Sequence, residues 1–226
     1  MRPLFVRYAF VEGRYNEKNP SVAVISYSVL GLRMRIVNYP HPALRHKAVP
    51  ISAIDNKVRR YVEEMFELMY AGKGLGLAGP QVALPYQVFV MNLTADSNQR
   101  DQGQAFINPL IVERRGSVEG EEGCLSFPGL YGKVRRAKTI RYQAYNLKGE
   151  LVEKTTTSDM EARVWQHEVD HLRGELFIDK MGPIGKIASR GALSSFEREF
   201  RRAQERGEIP PNVEIEKMLA ALETEA

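Results

Sequence analysis

The chain of 226 residues has a single cysteine, Cys124, and four histidines. One thiol cannot form an intrachain disulfide, which excludes a disulfide-stapled secreted scaffold. That thiol must therefore be buried, reactive or a metal ligand. No apolar run approaches the ~20 residues that a transmembrane helix needs, so no membrane partner is expected. Strong charge of one sign is missing too. The net charge is +4 and the isoelectric point about 9.1, which is compatible with an anionic partner but names none, and DNA binding is not expected. Internal repeats and low-complexity segments are absent. What remains is an ordinary globular composition, 43% hydrophobic and 27% charged, long enough for one domain with a sizeable core.

The most informative stretch is Trp165-Gln166-His167-Glu168-Val169-Asp170-His171, which contains His-Glu-x-x-His. On a helix, residues four apart share a face, so His167 and His171 would grip one metal ion. Glu168 lies between them, able to handle the proton of a water activated by that metal. The chain marks a helix here, over residues 158–173. Ser158 and Glu161 fit a capping box in which Glu161 reaches back to the amide of Ser158. Neither proline nor glycine interrupts until Gly174, which suits a left-handed helix end.

Residues 1–33 differ from the rest in carrying arginines, aromatics and a polar patch. Glu12 and Glu17 argue against a transit peptide, and no small-residue cleavage site follows to suggest a secretory signal. The expectation is that Met34 is the natural start and that residues 1–33 are an extension without visible chemistry. From there, residues 34–38 read as a short strand and residues 39–42 as a proline-rich turn. His41 and His46 fall in polar surroundings and are not expected to bind metal. Residues 55–71 read as an amphipathic helix, with Val58, Val62, Met65, Phe66 and Met69 at helical spacing.

The glycine-dense stretch Gly72-Lys73-Gly74-Leu75-Gly76-Leu77-Ala78-Gly79-Pro80-Gln81 permits close backbone approach. It lacks the Gly-Lys-Ser/Thr ending of a phosphate loop. Its last residue, Gln81, offers a neutral amide donor for a developing oxyanion. Strands are expected at 86–93 and at 105–112, where Pro109 suggests an edge or a bulge. A hairpin is expected from 138–145 and 151–156, turning at 146–149, and one more short strand at 175–181. Residues 183–206 read as a basic helical segment carrying Lys186, Arg190, Arg198, Arg201, Arg202 and Arg206. Pro210-Pro211 breaks it, and a charged, helix-prone tail follows. The fold class is therefore α+β: small antiparallel or mixed β-sheets packed around a central metal-binding helix. Three segments result: the extension 1–33, a catalytic domain 34–182 and a C-terminal helical part 183–226.

Catalytic sites of the zinc type commonly use three protein ligands, and the helix supplies two. The longer metalloprotease signature needs histidine at 177, where this chain has Phe177. Glu197 or Glu199 would have to be forced into a thermolysin-like role. Cys124, in Glu121-Glu122-Gly123-Cys124-Leu125-Ser126, is the better candidate, because a thiolate is a strong ligand for a borderline divalent metal.

Three stretches now resemble the three signature motifs of the peptide deformylases, in order. Residues 74–81 resemble Gly-x-Gly-Leu-Ala-Ala-Pro-Gln, residues 122–126 match Glu-Gly-Cys-Leu-Ser, and residues 166–171 match Gln-His-Glu-x-Asp-His. The similarity covers roughly residues 34–182. Gly79 replaces the usual second alanine, and Tyr131 stands where many bacterial members carry an arginine near the substrate. The resemblance implies removal of the formyl group from nascent polypeptides that begin with formyl-methionine. It implies Cys124, His167 and His171 as ligands of one divalent metal, Fe²⁺ in the cell with Zn²⁺ or Ni²⁺ able to fill the site. Glu168 would be the proton carrier, and the Gln81 amide and the Leu125 backbone amide the oxyanion donors. The substrate backbone would pair near Leu75 and Gly76, with Gly123 alongside, by β-strand addition. The methionine pocket would use Leu75, Val164 and the stem of Arg163. Trp165 is expected in the core, and Asp170 either orients a ligand or sits solvated on the helix. A cytoplasmic bacterial enzyme is expected, with an organellar one as the alternative if residues 1–33 are a transit peptide. The basic segment 183–206 suggests transient ribosome contact. Two rival readings remain: a zinc endopeptidase of the His-Glu-x-x-His type, and a metal-stabilised binding module without catalysis.

Overall fold

The computed structural model describes residues 34–225; the expectations for residues 1–33 lie outside them. The described residues open with an extended stretch and a short 3₁₀ turn at Pro42–Arg45. Residues 34–38 do not form the expected strand. Val37 N donates to Gln81 O at 2.8 Å and, just beyond the stretch, Tyr39 N donates to Ser126 O at 3.0 Å. Helix α1 (Asn56–Ala71) follows, begun by the Asp55 carboxylate accepting from the amide of Val58, which satisfies one of the free amides of a first turn.

Seven strands come next: β1 (Gly76–Ala78), β2 (Val88–Met91), β3 (Gln104–Arg115), β4 (Val118–Gly123), β5 (Tyr131–Arg136), β6 (Thr139–Tyr145) and β7 (Leu151–Thr155). Five form an antiparallel sheet in the order β1-β2-β3-β6-β7, while β4 and β5 stand apart as a hairpin. The register between β3 and β6 shifts between Ile107 and Leu110, at the bulge that Pro109 demands because it cannot donate to the ladder. The β4–β5 hairpin was not anticipated. Its alternation is written in glutamate, glycine, lysine and arginine, residues with poor strand preference. Its support comes from cross-strand charge pairs such as Glu119 and Arg135 at 3.9 Å and from an arginine on another element, described below.

Helix α2 (Asp159–Leu172) is the helix expected to carry His167 and His171. Ser158 Oγ accepts from the amide of Glu161 at 3.1 Å. Glu161 reaches back one residue further than expected, to the amide of Thr157 at 2.8 Å. Gly174 takes φ +72, the left-handed geometry expected there; a side chain at that position would also meet the carbonyl of Arg45. Residues 175–181 form no strand. A four-residue helix, α3 (Phe177–Lys180), replaces it, because Asp179 folds back to accept from the amide of Leu176 at 2.8 Å. Helices α4 (Pro183–Glu205) and α5 (Asn212–Glu223) complete the chain.

Helix α2 docks on the five-stranded sheet through Trp165. That ring is fully buried, stacked on Tyr142 at 3.9 Å and edge-on to Phe89 at 4.8 Å. A second cluster joins α1 to β1 and β2 through Val62, Met65, Met69, Leu77 and Val90. A third, containing Leu44, Phe127, Phe177, Phe200, Ile215 and Leu219, fastens α3, α4 and α5 to the turn after β4. The last helix therefore folds back onto the core; Tyr86 donates to the carbonyl of Leu222 at 2.6 Å.

Candidate metal centre

Strand β4 ends at Gly123, and the next residue, Cys124, begins the turn to β5. That turn aims the sulfur at α2. The ligand atoms of Cys124, His167 and His171 all lie within 4.8 Å of one another, with Sγ 3.3 Å from His171 Nε2. His167 Nδ1 is engaged by Glu122 Oε2 at 3.0 Å, so its Nε2 is left to face the cluster. This is the arrangement by which an outer carboxylate fixes the tautomer and direction of a metal-binding imidazole.

The chemistry of the donor set fits a cation. Burial opposes charge on His167, yet the neighbouring Cys124 and Glu122 outweigh it and raise its pKa well above the ordinary value. Burial holds His171 in its neutral form, its pKa well below normal, as ligation requires. Two buried polar atoms beside the cluster, Glu168 Oε2 and His171 Nδ1, have no partner.

Glu168 is 3% exposed, and burial pushes its carboxyl up to about 7. It lies against β1 so closely that a side-chain carbon at Gly76 would come 2.5 Å from Glu168 Oε1. Glycine at 76 is therefore a spatial requirement of the carboxylate's position. Gln81 sits in a 3₁₀ turn, Gly79–Val82. Its Oε1 accepts from the amide of Ala78 at 2.8 Å, which turns the amide nitrogen toward Cys124 Sγ at 3.3 Å and Ser126 Oγ at 3.4 Å. Leu125 inserts its side chain against Gly72 and Gly74, where added carbons would collide with it.

Behind Cys124, His167 and His171 lies a buried charge network that the sequence did not reveal. Arg136 forks onto Glu122 at 2.8 and 2.9 Å and also donates to Asp170. Asp170 is therefore buried and ion-paired, not solvated. Burial would raise the Glu122 carboxyl, but Arg136 and His167 hold it well below the usual carboxylate range. Arg163 donates to Glu122 at 2.7 Å and to the carbonyls of Val134 at 3.0 Å and Val118 at 3.2 Å. Its guanidinium is thus turned into the β4–β5 hairpin, and only the stem remains for the cleft. The one available signal was Glu122 inside its motif; nothing local marks Arg136 as its partner.

One cleft gathers Leu75, Gly76, Gln81, Gly123, Cys124, Leu125, Arg163, Val164, His167 and Glu168, and Tyr131 stands on its rim. His171 lies behind it, 1% exposed. The other histidines stay away from the cluster: His41 accepts from the amide of Ala43 at 3.2 Å, and His46 pairs with Glu223 at 2.7 Å. Glu197 accepts from the Tyr39 hydroxyl and belongs to no ligand group among the described residues.

A profile of the polypeptide deformylase family matches residues 33–186. The chain belongs to that family. The deformylases remove the N-formyl group from nascent peptides and are metal-dependent hydrolases, and Cys124, His167 and His171 form a group that could hold a metal ion. The chain is 42% identical over 178 residues to the peptide deformylase of Rhodopirellula baltica, covering 78% of this chain and 87% of that one. With the Neisseria gonorrhoeae deformylase the identity is 41%, over 70% of this chain and 93% of that one. Among solved structures, the Plasmodium falciparum deformylase superposes with a TM-score of 0.72 at 37% identity, covering 74% of this chain and 98% of that one. Arabidopsis thaliana peptide deformylase 1B gives 0.71 at 35%, covering 78% and 96%. These deformylases do not favour the endopeptidase reading of the helix motif. Among the described residues, no helix is long and apolar enough to cross a membrane.

Proposed function

We propose that Cys124, His167 and His171 hold one divalent ion, Fe²⁺ in the cell with Zn²⁺ or Ni²⁺ able to replace it. Around it, residues 34–182 carry out the hydrolysis of formyl-methionyl nascent peptides. The observation that carries this reading is the approach of one sulfur, from the turn after β4, to two imidazoles one helical turn apart. A bound ion would supply Lewis acidity and make water a usable nucleophile near neutral pH.

The remaining work falls to the chain itself. Glu168 takes a proton from water and returns it to the departing amine, and a carboxyl near 7 suits a group that must do both. The Gln81 side-chain amide and the Leu125 backbone amide donate to the developing oxyanion. Loss of one such donor typically costs ~3 kcal/mol of barrier. The substrate backbone lies along Leu75, Gly76 and Gly123, in the manner of an added strand. Leu75, Val164 and the stem of Arg163 receive the methionine side chain. Glu122, Arg136 and Asp170 touch no substrate; they orient His167 and hold the hairpin to α2.

The exposed arginines of α4, Arg198, Arg201 and Arg202, support a transient ribosome contact, and the bacterial relatives support a place in the bacterial cytoplasm. Equal ribosome affinity after neutralising those three arginines would count against the contact. The chemistry is tested by formate release from formyl-Met-Ala on anaerobically purified protein, with metal analysis. Turnover with one bound metal is expected, together with loss of metal in Cys124→Ser and loss of turnover with retained metal in Glu168→Ala. Cleavage of internal peptide bonds without formate release would overturn it in favour of an endopeptidase.

A further inference from the structure

The cleft does not end at the ligand cluster. It is one continuous cavity of about 1170 Å³, larger than the ~300–1,000 Å³ that encloses a drug-sized ligand. A formyl-methionyl group leaves much of it unfilled. One of its walls is a face of α4 on which Phe196, Phe200 and Ala203 recur at helical spacing, with Ile209 beyond the helix end. Arg35 and Arg202 stand exposed on the rim. None of these has a part in the chemistry above, and the family profile ends at residue 186, before this face begins.

The wall starts close to the ligands. The amide of Phe127 donates to the carbonyl of Cys124 at 2.9 Å, and the Phe127 ring meets Phe196 edge-on at 6.0 Å. An apolar face thus opens one ring away from the turn that bears Cys124. An extended substrate advances ~3.3 Å per residue. Residues three to five from its start are therefore roughly 10–17 Å from the formyl group. The only polypeptide that the reaction brings into this space is the remainder of the nascent chain.

We propose that this α4 face is a second binding lobe for the substrate, taking an apolar side chain downstream of the formyl-methionine against Phe196 and Ala203. Arg35 and Arg202 supply donors for the carbonyls of the extended backbone, which has acceptors to spare. The proposal rests on the deformylase reading and deepens it. It makes α4 a determinant of which nascent chains are processed fastest.

The test compares kcat/KM of the metal-loaded enzyme on formyl-Met-Ala, formyl-Met-Ala-Ser-Leu-Leu and formyl-Met-Ala-Ser-Ser-Ser. The leucine pentapeptide is expected to exceed the serine one by about fivefold, the worth of a partly buried aliphatic side chain. Phe196→Ala should remove that preference, through KM, while formyl-Met-Ala is turned over as before. Ala203→Trp, which fills the lobe from a half-buried position, should remove it as well. This variant decides the matter if Phe196→Ala fails to fold. Equal rates on the two pentapeptides in the unaltered enzyme, or a preference that survives Ala203→Trp, would overturn the lobe. Absence of formate from all three peptides would instead overturn the deformylase reading, and the lobe with it.

Discussion

Glu122 accepts from His167 Nδ1 at 3.0 Å, and the same carboxylate receives the Arg136 fork at 2.8 and 2.9 Å. One buried anion thus aims the imidazole proposed to bind metal and neutralises the cation that ties α2 to the hairpin. Replacing it by glutamine keeps its size and removes its charge. Glu122→Gln is expected to weaken metal binding about 10- to 100-fold, the usual effect of losing such a partner. Competition with a chromogenic chelator measures this. Glu122→Ala should also lower stability by roughly 3–5 kcal/mol, because it strands buried charge; urea denaturation would show it. Unchanged metal affinity in Glu122→Gln would remove the orienting role.

Gly76→Ala should fold but turn over poorly. The added carbon falls 2.5 Å from Glu168 Oε1, so either β1 or the carboxylate must move. A displacement of about 1 Å at a reacting group costs about 100-fold. The expected readout is a kcat lowered on that scale with metal content unchanged. Activity near that of the parent would mean that Glu168 tolerates other positions.

Trp165→Ala should cost about 3–5 kcal/mol of stability. The ring is fully buried among Phe89, Phe106 and Tyr142, and no smaller side chain fills that space. Denaturant unfolding followed by circular dichroism would measure the loss.

Stability should also fall in mild acid through His41. Burial, helped by the charge of Arg35, pushes its pKa down to about 4, whereas the unfolded chain titrates near ~6.5. Between these values the unfolded state binds the extra proton. The contribution of His41 is therefore complete above pH 6.5, shrinks as pH falls toward 4 and is constant below. The whole span amounts to roughly 3 kcal/mol. His41→Asn keeps an acceptor for the amide of Ala43 and removes the titration, so its stability should decline less over that interval. Parallel curves for the two proteins would refute the assignment.

The chemistry-bearing stretches were legible because their signals are local. A capped helix with imidazoles at i and i+4 declares a metal face without knowledge of the rest, and α2 forms within one residue of the expected bounds. Residues 175–181 misled because an apolar stretch this short satisfies strand and helix patterns alike. The choice fell to one carboxylate, Asp179, capping its own turn. The β4–β5 hairpin was silent because its strands carry charge where apolar alternation is sought. What holds it, Arg163, is on a helix some forty residues away in sequence.

The amino-acid sequence alone determined the candidate cysteine and histidines, the helix that carries both histidines and the glycines that let backbone approach. All of these depend on spacing within a few residues. Only the tertiary structure decided that Arg136 joins Glu122 to Asp170, that the Arg163 guanidinium turns into a hairpin and leaves only its stem to the cleft, and that α4 walls the cleft. Those relations join segments distant in the chain, and burial makes them strong: a charge removed from water must find a partner wherever the fold supplies one.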